Sequence, residues 1–162
     1  MINKEYEYSF KVDSLDQVIK YLEDNNYKNT SILKQNRKVY ENKNNKNIIA
    51  RITTNIIDNK EEVLIDFKNV KEKDDNLKVS DESMPIEINN DYDKFLSILD
   101  VLDFELKIEL IRTRYIYEKD EVIFELDDYK YPKMCVVAVE GNNIKVDNEY
   151  KKIINSIDNI IK

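Results

Sequence analysis

Two glutamates stand two residues apart near the start of the chain, Glu5 and Glu7. On an extended strand such a pair projects from one face, about 6.5–7 Å apart. Carboxylates at that spacing can converge on one divalent cation, or simply face water as the polar side of a strand. Arg112 and Arg114 repeat the spacing. Two guanidinium groups on one face can hold neighbouring phosphates through bidentate forks, or pair with acids on an adjacent strand. Arginine is scarce: positions 37, 51, 112 and 114 hold all four, so 22 of the 26 basic residues are lysine. Where lysine supplies the general positive charge, retained arginines point to a geometric demand.

Other charges interrupt apolar runs. Arg51 lies in Ile48-Ile49-Ala50-Arg51-Ile52, and Lys68 follows Ile65-Asp66-Phe67. Glu125 and Asp127 alternate with Phe124 and Leu126, and Glu140 closes a valine-rich segment. Buried singly, such charges would be costly. As a set they can offset one another, with a bound anion and metal completing the balance.

Composition removes many alternatives. There is no histidine, which excludes most zinc sites and the histidine-activated nucleophiles. Any metal should be a hard cation held by carboxylates. Cys135 is the one cysteine, within an apolar run, and reads as a plain buried thiol. A single glycine leaves no glycine-rich phosphate loop. The net charge of −7 argues against a nucleic acid polymer as partner. No leader peptide and no membrane span is visible, so the expected location is cytoplasmic.

These residues need strands to hold them. Glu5, Glu7, Ser9 and Lys11 alternate with Tyr6, Tyr8, Phe10 and Val12, which predicts a strand over 4–12. Asp13 or Ser14 should cap a helix carrying Leu15, Val18, Ile19 and Leu22. Strand patterns follow at 31–41, 47–56, 61–70 and 77–88, with the charge run from Lys71 to Asn76 as a solvated loop. A helix is expected from Asp91 to Asp103. Three more strands cover 105–117, 121–129 and 134–141, with a tight turn near Asp120, and a last helix spans 147–161. The pattern predicts one domain over 1–162 of mainly β (α+β) class. Its architecture is an eight-stranded antiparallel closed tunnel or barrel with helices packed outside.

In this order the residues resemble the CYTH, or triphosphate tunnel metalloenzyme, superfamily, which includes class IV adenylate cyclases, thiamine triphosphatases and inorganic triphosphatases. The Glu-x-Glu-x-Lys hallmark is met by Glu5-Tyr6-Glu7-Tyr8-Ser9, with Ser9 in place of the lysine. Ala50-Arg51-Ile52-Thr53 falls at a Leu-Arg-x-Arg strand, with Thr53 for its second arginine. Lys68 ends the following strand as in the family, and Lys78 to Glu82 falls at an Arg-x-Glu-x-Glu segment, with Ser80 for the arginine and Met84 for the second acid. Leu102-Asp103-Phe104 looks like a helix-ending Leu-Gly-Phe. Arg112-Thr113-Arg114-Tyr115 falls at a Lys-x-Arg-x-x-Tyr strand, and Leu126-Asp127 at a Leu-Asp step. Val139-Glu140-Gly141 matches the closing Glu-x-Glu-Gly, with Ala138 for its first acid.

The resemblance implies a metal-dependent enzyme that binds and turns over a triphosphate inside the tunnel. The substrate would be ATP, thiamine triphosphate or inorganic triphosphate. Arg51, Lys68, Arg112 and Arg114 would contact phosphates, with Lys11 within reach on the first strand. Lys68, Arg112 and Arg114 would stabilise the reacting group. Glu5, Glu7, Asp127 and Glu140, and Glu82 with them, would hold Mg²⁺ or Mn²⁺. The chain would act as a monomer or homodimer, as a class IV adenylate cyclase-like enzyme or a triphosphatase. The alternative is a nucleotide- or polyphosphate-binding module of the same fold with weak turnover.

Overall fold

The computed structural model describes residues 2–161. The elements run β1 (Ile2–Val12), α1 (Asp16–Asp24), β2 (Lys28–Asn42), β3 (Ile48–Ile57), β4 (Lys60–Asp74), β5 (Leu77–Ser83) and β6 (Ile86–Glu87). Then come α2 (Tyr92–Val101), β7 (Phe104–Lys119), β8 (Val122–Tyr131), β9 (Met134–Gly141), α3 (Asn143–Ile154) and β10 (Ile160–Ile161).

Eight strands pair in the order β1-β5-β4-β3-β2-β7-β8-β9, and β9 pairs back onto β1, closing an antiparallel barrel. Two residues of β6 add to β4, and two of β10 add to β1. Closure leaves each strand with an inner and an outer face, and period-two alternation assigns every residue to one of them. Most of the buried apolar strand residues take the outer face. Phe10, Val12, Phe124, Leu126, Val137 and Val139 are buried beneath α1 and α3, against Val18, Leu22, Val146 and Ile153. Ala50, Ile52 and Ile65 are buried beneath α2 with Ile88, Leu99 and Phe104. The hydrophobic cores therefore lie between barrel and helices, and the charged positions are left to line the interior. Among the described residues, no helix is long and apolar enough to cross a membrane.

Tight hairpins fix the registers. Asp58-Asn59 and Asp120-Glu121 have positive φ at both residues, as two-residue type I′ turns require. Gly141 has φ +150, and a Cβ there would lie 2.6 Å from the Glu121 carbonyl oxygen. Glycine is required at this point by conformation and by space.

Four expectations are corrected. The last helix is shorter than 147–161 and begins earlier. Asn142 caps it by accepting from Lys145 N at 3.2 Å, and Ile160–Ile161 leave it to pair with Val12 and Lys11. The isoleucine spacing fits a helical stripe, but Ile157 is buried beyond the helix end and the tail is held extended. The charge run 71–76 is not a loop: β4 continues to Asp74, and the turn is Asp75-Asn76. Its side chains are solvated, yet its backbone groups pair with β5. The 77–88 strand breaks after Ser83, because Pro85 has no N–H to donate. Neither Asp13 nor Ser14 caps α1, which starts at Asp16 with Leu15 preceding it and no side-chain cap.

Candidate functional site

The barrel interior holds a cavity of about 340 Å³. Its charged lining comprises six carboxyl groups, Glu5, Glu7, Glu82, Glu125, Asp127 and Glu140. Six cationic groups face them: Arg37, Arg51, Lys68, Lys78, Arg112 and Arg114. All four arginines of the chain are therefore in this one cavity. They sit on the adjacent strands β3, β2 and β7. Glu5, Glu7, Glu82 and Glu140 sit on the adjacent strands β5, β1 and β9. The interior is thus divided by strand into a guanidinium side and a carboxylate side.

On the carboxylate side, Glu5, Glu7 and Glu140 each offer an oxygen, and the three oxygens lie within 4.8 Å of one another. This is the one such acidic trio among the described residues. Two members come from the i, i+2 spacing on β1. The third arrives because β9 closes the barrel with Glu140 directly opposite Glu7. Lys68 Nζ lies 2.6 Å from Glu5 Oε1, 3.0 Å from Glu82 Oε1 and 3.8 Å from Glu7 Oε2. Lys78 Nζ lies 3.0 Å from Glu7 Oε1.

The trio is electrostatically uneven. Burial, a hydrogen bond with Glu82 and the charges of Glu140 and Glu7 outweigh Lys68 and push Glu5 up to about 9. Burial and then the charges of Glu125 and Glu7 push Glu140 up to about 8. Glu7 goes the other way: against the upward push of burial, Lys78 and Lys68 bring it down to about 2. Burial of Glu82 is likewise outweighed, by its hydrogen bond with Glu5 and then by Arg51 and Lys68, leaving it at about 2. At neutral pH, Glu5 and Glu140 therefore carry protons. A divalent cation at the trio would displace those protons. An all-oxygen trio without histidine or thiolate suits a hard cation, so these residues fit Mg²⁺ or Mn²⁺.

On the guanidinium side, Asp127 is a hub. It accepts from Arg114 Nε at 2.7 Å, Arg114 Nη2 at 2.8 Å and Arg112 Nη1 at 3.2 Å. Despite burial, these arginines hold its carboxyl below the usual range. Arg114 Nη1 also meets Glu125 at 2.6 Å. Arg112 donates to Gln35 through Nε at 2.8 Å and to Tyr129 OH through Nη1 at 2.7 Å. Its Nη2 is buried with no hydrogen-bond partner. Arg51 pairs with Asp66 and lies 3.0 Å from Glu82 Oε1.

Of the residues singled out in the sequence, Glu5, Glu7, Arg51, Lys68, Glu82, Arg112, Arg114, Asp127 and Glu140 all line the cavity. Lys11 does not: it is exposed beyond the cavity, where β1 pairs with β9 and β10. Parity puts Lys11 on the face of Glu5, but not at its height in the barrel. Asp127 stands apart from the acidic trio, its oxygens engaged by guanidinium groups. Glu82 is also outside the trio, between Lys68 and Arg51. Arg37, Lys78, Glu125 and Tyr129 were not assigned to the site and line it too. Each occupies the inward parity of its strand, and Arg37 carried the further signal of arginine scarcity.

No protein-family model matches the chain, and no curated protein matches it in sequence. Solved structures do. The PH1819 protein of Pyrococcus horikoshii superposes with TM-score 0.74 at 16% identity, covering 97% of this chain and 93% of that one. The chain therefore shares its fold, a closed eight-stranded antiparallel barrel, with solved structures of this kind. A second structure with this fold, HpAC1 of Hippeastrum, is a candidate adenylyl cyclase described as having a dominant triphosphatase activity. It matches with TM-score 0.67 at 12% identity, over 93% of this chain and 86% of that one. A third, a candidate adenylate cyclase of Bacillus halodurans, matches with TM-score 0.65 at 12% identity, over 99% and 94%. At these identities the shared property is the tunnel itself, and the lining residues must be argued on their own geometry.

Proposed function

We propose that this CYTH-fold chain binds a linear triphosphate in its tunnel together with Mg²⁺ or Mn²⁺ and turns it over, as a triphosphatase or as a class IV adenylate cyclase-like enzyme. One observation carries the reading: all four arginines and the acidic trio Glu5-Glu7-Glu140 face each other across one cavity. A polyanion with a bound divalent cation matches both sides at once. Arg51, Lys68, Arg112 and Arg114 would hold the phosphate oxygens and neutralise charge that builds up as a phosphorus–oxygen bond breaks. Glu5, Glu7 and Glu140 would hold the cation, which would supply Lewis acidity to the phosphate. Asp127 fixes the two β7 guanidinium groups in place. In hydrolysis the attacking oxygen is water at the terminal phosphorus. In cyclisation it is the ribose 3′-oxygen at the α-phosphorus, with pyrophosphate leaving. The electrostatic demands are the same.

One feature favours a binding module with weak turnover as the second reading. Asp127 and Glu125 already engage Arg114, so a phosphate must compete with buried carboxylates for that guanidinium.

The test is incubation with Mg²⁺ or Mn²⁺ and ATP, thiamine triphosphate or tripolyphosphate, with phosphate, pyrophosphate and cyclic AMP measured. Glu7→Ala and Arg114→Ala run alongside. Turnover that both substitutions abolish supports the enzyme; turnover that neither changes removes this cavity as its site. Metal-dependent binding without turnover selects the second reading.

A further inference from the structure

Arg37 differs from the other three arginines. Arg51, Arg112 and Arg114 each have a carboxylate within salt-bridge distance, and Arg37 has none among the described residues. Its one side-chain hydrogen bond is from Nε to Thr53 Oγ1, at 2.9 Å. Thr53 is its register partner on β3. The two Nη groups are left for the cavity, which Arg37 lines. Glu125 and Asp127 offset its charge from a distance, and both carboxylates are committed to Arg114. Burial and the neighbouring charges of Arg112, Arg51 and Arg114 all disfavour the Arg37 cation. Guanidinium does not shed its proton in a protein, so an anion is the available relief.

A second, independent group points the same way. Arg112 Nη2 is buried and unpartnered. Arg112 pairs in register with Gln35, one inward step from Arg37 on β2. Leaving a charged donor unsatisfied is expensive, and a ligand atom would satisfy it.

The surroundings say what kind of anion fits. One inward step beyond Arg37, Gln35 and Asn55 are buried and joined by a 2.8 Å hydrogen bond. With Arg112 Nε on one side and Glu62 on the other, they make a polar rung across β7, β2, β3 and β4. Gln35, Asn55 and Arg112 of this rung are all buried and present polar groups to one another. Of the apolar lining, Leu110 lies directly opposite Arg37 on β7, Val39 lies one inward step the other way on β2 and Ile49 further along β3, with Val136 and Ala138 on β9.

We propose that Arg37, with Nη2 of Arg112, grips the terminal, unesterified phosphoryl group of a linear polyphosphate, at the end of the cavity nearest the Gln35-Asn55 rung. This rests on the triphosphate reading and deepens it. The guanidinium that β3 lacks at Thr53 is delivered to the same place from β2. Any organic substituent is directed the other way, toward Val39 and Ile49. The shared chemistry is a free phosphoryl end, found in tripolyphosphate and in nucleoside triphosphates alike.

Calorimetric binding with Mg²⁺ tests this with tripolyphosphate, ATP and diadenosine triphosphate, whose phosphates are esterified at both ends. The wild-type protein should bind the first two, and diadenosine triphosphate at least about tenfold more weakly than ATP. Arg37→Gln should weaken tripolyphosphate by about 10- to 100-fold, the loss of charge-assisted hydrogen bonds. Its affinity for Mn²⁺ alone should stay within about twofold. The exchange Arg37→Thr with Thr53→Arg should restore most of the loss. Tripolyphosphate affinity unchanged in Arg37→Gln, or diadenosine triphosphate bound as tightly as ATP, overturns the inference and leaves the triphosphate reading standing. A wild-type protein that binds no triphosphate overturns both. Should Arg37→Gln not fold, Arg37→Lys decides: it keeps the charge but lacks the fork, and wild-type affinity there also overturns the inference.

Discussion

Lys78 on β5 lies directly opposite Glu7 on β1, and its ammonium is 3.0 Å from Glu7 Oε1. Glu7 is the member of the acidic trio that stays ionised, and Lys78 is the largest influence holding it down. The lysine therefore prepares a ligand for a cation while occupying part of its place. Ser9, at the next inward position of β1, is too short to do either.

Removing Lys78 should make cation binding steeper in pH. In Lys78→Met, burial of Glu7 is opposed mainly by Lys68, and its carboxyl titrates higher. Mn²⁺ binding then has to displace one more proton. Between pH 5 and 7 the affinity should fall more sharply with acidity than in the wild type, approaching about tenfold more per unit. Above pH 8 it should exceed the wild-type value, because a competing cation is gone. Mn²⁺ titrations from pH 5 to 9 read both limbs, and parallel curves would remove Lys78 from the site.

Glu5 and Glu140 set a pH dependence with the opposite sign to that of ordinary carboxylates. Their folded pKa values, about 9 and about 8, lie far above the usual carboxylate range. Each binds its proton more tightly when folded. Their contribution to stability is complete below about pH 4.5 and is lost as pH rises through 8 to 9. Glu7 and Glu82, at about 2, act conversely and lose their contribution as pH falls through about 4 to 2. Metal-free protein should therefore melt at a lower temperature at pH 9 than at pH 6, with a limiting slope of about 1.4 kcal/mol per pH unit per proton. Mg²⁺ or Mn²⁺ should reverse this, binding more tightly at pH 9 and releasing protons. Thermal melts with and without metal check the sign. A metal-free melting temperature that rises from pH 6 to 9 contradicts the assignment.

Much of this was legible in β1 alone. Tyr6, Tyr8 and Phe10 alternating with Glu5, Glu7 and Ser9 already separates an apolar face from a polar one. Closure makes the polar face the inside. What one strand cannot show is the register of its neighbours. Lys78 meets Glu7, and Arg37 meets Thr53, only through pairings across 71 and 16 positions of sequence. Asp127 has the composition and parity of a metal ligand, and Arg114 opposite it on β7 gives it a different task. The isoleucines at 153, 154, 157, 160 and 161 fit a helical stripe, so nothing in their spacing reveals that the last two add to β1.

The task of Asp127 can be separated from that of Glu140. Asp127→Asn leaves Arg112 and Arg114 buried beside a neutral amide. It should cost about 3–5 kcal/mol in stability, as for a broken buried ion pair. Its Mn²⁺ affinity should stay within about twofold. Glu140→Gln removes a trio member whose carboxyl is protonated in the metal-free protein, so stability should change by less than about 1 kcal/mol. Mn²⁺ affinity should fall by more than about tenfold. Chemical denaturation and metal titration of the two variants give a crossed pattern. If Asp127→Asn loses Mn²⁺ as Glu140→Gln does, Asp127 belongs with the metal.

Gly141 links the barrel seam to the trio. It follows Glu140, pairs with Tyr6 across the β1–β9 closure, and has φ +150. In Gly141→Ala the new methyl group meets the Glu121 carbonyl oxygen at 2.6 Å and Val146 Cγ2 at 3.2 Å. A backbone oxygen cannot swing aside as a side chain could. Either β9 or the β7–β8 turn must shift, and an alanine strained at this φ adds its own penalty. Destabilisation of about 2–4 kcal/mol is expected. Because Glu140 is the adjacent residue, Mn²⁺ affinity should weaken even at temperatures where the protein remains fully folded. A variant that is destabilised yet keeps wild-type Mn²⁺ affinity would show that the seam can give at Gly141 without moving Glu140 from Glu5 and Glu7.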